Sequence, residues 1–159
     1  MNSNATLIGI LLLLVFIIPI IYAIVKSKAN KRKIEQLTAN LVAYHKLTPS
    51  ETFDDLGSHH FILDTNSKKL MHIEIEKSKI KKETLWDIND IINIKAEYSH
   101  YTSPSNISII SKIHLNILRK EGEKTDILIY DENNGNISEV DQNKNTLENL
   151  VHKVNSLRG

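Results

Sequence analysis

The chain has 159 residues, no cysteine, 20 Lys and Arg against 19 Asp and Glu, and a formal net charge of +1. Without cysteine there is no disulfide framework and no thiolate metal site. Five basic residues precede the first acid and leave 15 basic against 19 acidic residues, a balance of −4, so no basic face for nucleic acid and no nucleic-acid binding are expected.

Ala5 to Val25 is an uncharged stretch of 21 residues dominated by Leu and Ile. At about 1.5 Å per residue, such a helix matches the roughly 30 Å core of a bilayer. Pro19 is tolerable in a spanning helix as a kink. A cleavable signal would want a basic start, a shorter apolar core and a small-residue exit. Here residues 1–6 hold no Lys or Arg, and the exit reads "YAIVKSK". The reading is an uncleaved transmembrane anchor, with a buried core helix as the alternative. Lys26, Lys28, Lys31, Arg32 and Lys33 follow it directly. Positive flanks stay on the cytoplasmic side. The expectation is a single-pass bacterial inner-membrane protein with a short N-terminus outside, its soluble part in the cytoplasm and those five residues at the membrane surface.

Residues 27–46 read as a juxtamembrane helix with Ile34, Leu37, Leu41 and Tyr44 in one apolar stripe. The stripe would pack on the following domain or on a second copy, so self-association through residues 27–46 is an expected option. Pro49 ends it. From His59 the period becomes that of strands: "HHFILD", "LMHIEIE", "ETLWDI", "IINIKAEY", "ISIISKIHLNILRK" and "DILIYD", separated by polar turns. "NTLENLVHKVNSLRG" reads as a closing helix with a stripe of Leu147, Leu150, Val151, Val154 and Leu157. Asn145 or Thr146 would cap its start, and Gly159 follows its end.

The organisation is therefore residues 1–25 as tail and transmembrane helix, 26–52 as basic juxtamembrane helix and linker, and 53–159 as an α+β domain. That domain would hold six to seven antiparallel strands closed by a C-terminal helix. The pieces "FILDTNSKKLMHI" and "LWDINDIINIKAEY" and the closing helix resemble the pleckstrin-homology-like (PH-like) domains of bacterial membrane proteins, over about Phe53 to Leu157. A generic α+β roll is the alternative. The resemblance implies a binding domain. Phosphoinositide-binding members carry basic residues around the first strand turn, but here that turn offers only Lys68 and Lys69.

No catalytic set emerges and no cofactor is expected. Adjacent His59 and His60 in a strand point to opposite faces, so a metal site would need His72, His114 or Asp64 to converge. Asp54, Asp55, Asp87 and Asp90 suit turns and strand ends, where Asp bonds its own backbone. Lys77, Lys79, Lys81 and Lys82 are a possible binding run or a solvated turn, and Trp86 is a possible ligand platform or a core residue. The reading is a non-enzymatic protein whose partner is the membrane or another inner-membrane protein, engaged by strand addition. One alternative rests on architecture and composition: a short single-span chain rich in Ile, Asn and Lys resembles prophage-encoded superinfection exclusion proteins that block phage DNA entry. The other is a metal-dependent hydrolase using the His cluster.

Overall fold

Residues Ser3–Tyr44 form one continuous helix, α1, with Pro19 inside it. The structure is a computed structural model that describes residues 3–133, 135 and 137–158, with side chains for all of these except 3–12, 14, 55 and 137. The expected juxtamembrane helix is the continuation of α1, because no Gly or Pro lies between Ile20 and Lys46 to interrupt the backbone. Lys46, at φ 54°, turns the chain out just after the helix end. Among the described residues, no helix is long and apolar enough to cross a membrane. The span expected at Ala5–Val25 includes residues 5–12 and 14, whose side chains lie outside those described.

The chain divides into two compact units, Met1–Asn40 and Leu41–Gly159. In the second, β1 (Glu51–Leu56), β2 (His59–Asp64), β3 (Lys69–Glu76) and β4 (Lys79–Asp87) form an antiparallel sheet in the order β1-β2-β3-β4. A second antiparallel sheet follows in the order β5-β6-β7, made by β5 (Ile91–Thr102), β6 (Ser108–Arg119) and β7 (Lys124–Asp131). Helix α2 (Val140–Leu157) packs against both β1 and β5, the first strand of each sheet. The coarse expectation of six to seven antiparallel strands closed by a C-terminal helix therefore holds for the described residues, with seven strands in two sheets.

Alternation explains the core. Phe53, Phe61, Leu63, Leu70 and Trp86 on the first sheet meet Ile94, Ile113, Leu115, Ile117 and Ile127 on the second. Leu147, Leu150 and Val154 of α2 are fully buried among them. Val151 and Leu157 are partly buried at the margin of the same cluster. The expected cap of α2 is corrected: the helix begins at Val140, five residues before Asn145, and Glu139 stands at its N-cap without a side-chain hydrogen bond. The polar run "VDQNKN" carries few apolar residues to mark that start. Gly159, expected beyond the helix end, lies outside the described residues.

The first sheet also buries its other face. Ile62, Met71 and Ile73 are fully buried, although they alternate with the inward set. His45 Nε2 lies 3.5 Å from Glu83 Oε1, and Glu83 pairs with Ile73 across the β3–β4 ladder. The end of α1 therefore covers this face, with Leu41 and Val42 half-buried and Leu47 buried. Tyr44, expected in the same stripe, is 77% exposed instead. Val42 is half-buried instead. Asp64 fastens the linker: its carboxylate accepts hydrogen bonds from Thr48 N at 2.8 Å and from Asn66 N and Ser67 N at 3.0 Å each.

Candidate functional site

An open groove of about 570 Å³ lies between β1 and α2. Its β1 side is Glu51, Thr52, Phe53 and Asp54, and its α2 side is Thr146, Asn149 and Lys153. The three helix residues recur at spacings of three and four, so they share one side of α2 beside the buried stripe. Phe53 is buried at the groove and belongs to the core cluster. Lys153 Nζ donates to Glu51 Oε1 at 2.6 Å and ties helix to strand. Among the described residues, β1 is an outer strand of its sheet, with β2 as its strand neighbour. Such an edge is a template for an added strand. The lining carries two carboxylates and one ammonium, with Glu51 paired to Lys153 and Asp54 to His60.

Sequence reasoning missed this strand. "ETFDDL" has only Phe53 and Leu56 as apolar residues, and three acids stand among them. The signal that could have found it is the pair of Phe53 and Leu56 just ahead of Gly57, which takes φ 65° in the tight turn to β2.

The residues singled out beforehand do not converge. Lys77 lies in a two-residue turn with Ser78, both at positive φ (50° and 59°), as a primed hairpin turn requires. Lys79, Lys81 and Lys82 lie in β4 rather than in a solvated turn, since β4 starts at Lys79. Lys81 Nζ donates to Glu74 Oε1 at 2.7 Å and lies 3.7 Å from Glu76 Oε2. Glu74 raises the Lys81 pKa, and Lys81 lowers that of Glu74. Trp86 is 2% exposed and belongs to the core. Lys26, Lys28, Lys31, Arg32 and Lys33 are exposed on α1. Lys26 Nζ sits 5.8 Å from the centre of the Tyr22 ring.

The carboxylates are local fixtures. Asp87 Oδ1 accepts from Asn89 N at 2.8 Å and starts the 3-10 turn Ile88–Asp90. Asp90 ends that turn. Asp54 bonds His60 at 3.1 Å. Both Asp54 and Asp55 lie within β1, and the Asp55 side chain is outside those described.

His59 and His60 do diverge. His59 faces inward, where its Nδ1 lies 3.0 Å from His72 Nε2. His114 instead bonds Asp126 at 2.8 Å on the second sheet. Among the described residues, no group of three or more His, Asp or Glu side chains is placed to hold a metal ion. His72 stacks on Phe61 at 4.7 Å and on Trp86 at 6.0 Å between ring centres. Burial lowers both imidazole pKa values, that of His72 to about 4.

No family model, curated protein or solved structure matches this chain.

Proposed function

We propose that this chain is a membrane-anchored, non-catalytic binding protein whose PH-like roll takes an extended, basic segment of a partner membrane protein in the β1–α2 groove. The groove beside an outer strand is the observation that carries the binding reading. Backbone pairing along β1 would supply affinity, and Glu51 and Asp54 would favour Lys or Arg on the partner.

The anchor reading is supported by α1. Val15, Phe16, Ile17 and Ile18 are consecutive and all exposed, as are Ile20, Ile21, Tyr22, Ile24 and Val25. Consecutive residues on a helix cover every side, and a helix that is apolar all round suits lipid. Tyr22 beside Lys26 fits the aromatic and basic belt at a bilayer surface. The basic flank lies wholly after the apolar run, which orients the roll toward the cytoplasm. A reporter active only in the periplasm, fused after Gly159, should be silent; strong activity would reverse the orientation.

The groove is tested with a library of random ten-residue peptides (about the length of a long strand) screened against the full chain in mild detergent. The best binders should be basic, and their amide perturbations should cluster at Glu51–Asp54 and Thr146–Lys153. Asn149→Arg should fill the groove and abolish binding. As an exposed helix position, it should move stability by no more than about 0.5 kcal/mol. Perturbations confined to other strands, or binding unchanged in Asn149→Arg, would remove the groove from the function.

A further inference from the structure

Residues 98–111, "YSHYTSPSNISIIS", hold no Asp, Glu, Lys or Arg, in a chain of which 25% is charged. They form the far end of the β5–β6 hairpin, with Tyr101 opposite Ile109 and Thr102 opposite Ser108. The tip is tied to itself. Ser103 N donates to Ile107 O and Asn106 N to Ser103 O, both at 2.9 Å. β7 stops short of this end: its ladder with β6 closes at Lys112 and Asp131, and Glu132 N adds one bond to Ser111 O. On the other side, α2 ties to β5 through the Ile92 and Ile94 carbonyls and the Tyr98 hydroxyl, which donates to Glu148 Oε1 at 3.0 Å. Among the described residues, no third strand pairs with residues 99–102 or 108–110.

A two-stranded ribbon has little support of its own, since a lone hairpin is marginal in water and three or more strands are needed. Its edges also lack the usual protection. Charged side chains blunt outer strands. β1 carries Glu51, Asp54 and Asp55, β4 carries Lys79, Lys81 and Lys82, and β7 carries Lys124, Asp126 and Asp131. The ribbon strands carry none. Alternation along β5 puts Lys95, Glu97 and Tyr101 on one face, where Asn116, His114 and Ile109 stand opposite them on β6. That face is polar along most of its length and turns apolar at the ribbon. Tyr101 is 44% exposed there, and Ile107 at the tip is 61% exposed.

We propose that this ribbon is a self-association surface, joining edge to edge with the ribbon of a second copy of this chain and covering Tyr101 and Ile107 at the joint. An uncharged strand offers nothing to a charged partner and meets no repulsion from its own copy. A two-fold axis sets the same residues opposite each other, so an edge of Ser, Thr, Tyr and Ile is complementary to itself. Two ribbons together supply the four strands that one lacks. A bilayer surface would call for Lys or Arg beside the apolar residues, and residues 98–111 have neither. None of these residues lines the β1–α2 groove, so the paired chain keeps that lining.

Sedimentation of the full chain in mild detergent, with the detergent mass subtracted, tests this. The unaltered protein should show twice the mass of one chain. Tyr101→Lys combined with Ile107→Lys sets like charges across the two-fold joint and should weaken association at least about hundredfold, leaving single chains. Both positions are exposed, so the unfolding temperature should stay where it is. The chain has no cysteine, so one introduced thiol reports the joint directly. Ser108→Cys should be cross-linked between copies by a short bis-maleimide, and Lys120→Cys, just past the opposite end of β6, should not. A single-chain mass for the unaltered protein, a doubled mass that survives both lysines, or Lys120→Cys cross-linking as readily as Ser108→Cys overturns the proposal. Single chains that instead bind phosphatidylcholine vesicles through Tyr101 would give the surface to lipid and overturn it equally.

Discussion

Leu150→Ala should lower the unfolding temperature of the roll by many degrees, whereas Asn149→Ala should barely move it. Leu150 is fully buried in α2, between Leu147 and Val154 on the same stripe. Its side chain meets the core shared by both sheets. Removing a buried Leu typically costs about 2–5 kcal/mol, through lost burial and the cavity left behind. A small domain has only about 5–15 kcal/mol to lose. At a few degrees per kcal/mol, roughly 10 °C is the expected shift. Asn149 is exposed on the groove side and buries no side chain. Thermal unfolding followed by circular dichroism measures both. Equal, small shifts would mean that α2 is not coupled to the sheets, and the groove it forms with β1 would lose its wall.

Most of the strands were legible because period-two alternation survives in them. "LMHIEIE" and "SKIHLNIL" bury Ile73 and Ile75, and Ile113, Leu115 and Ile117, as their alternation requires. The start of β4 was hidden because "KIKKE" is solvated, and one apolar residue cannot define a period. The beginning of α2 was hidden for the same reason, although Asn143 in that run is buried. The groove needs the placement of β1 against α2, residues about 100 positions apart in the Glu51–Lys153 pair; no local pattern encodes that distance. The histidine pair was closer to view. The turn between Asp64 and Lys69 sets the ladder so that Phe61 faces His72 and His59 faces Glu74. Cross-strand partners share a face, so a register counted back from that turn brings His59 and His72 together. The covered outer face was not legible because both faces of β2 and β3 are apolar, which reads equally well as a buried strand in any sheet.

Acid should destabilise the roll through groups of two opposite kinds, the buried histidines His59 and His72 and the carboxylate Asp64, in separate windows. The His72 pKa is lowered from 6.5 to about 4, first by burial and then by His59. Between those values the unfolded chain binds a proton that the folded chain rejects. Stability is therefore complete above about pH 6.5 and falls as pH drops toward 4, by on the order of 3 kcal/mol at full effect. Asp64 acts lower. Backbone N–H groups of Ser67 and Thr48 hold its carboxyl below the ordinary 3.8. Its contribution is present above pH 3.8 and is lost as pH falls through the folded value. Denaturant unfolding across a pH series should show both declines. His72→Phe should shrink the upper one and leave the lower. Asp64→Ala should remove the lower one and cost about 2 kcal/mol even at neutral pH, since three backbone donors lose a charged acceptor and only water replaces it. An upper decline that persists in His72→Phe would assign the titration to His59, whose pKa burial also lowers.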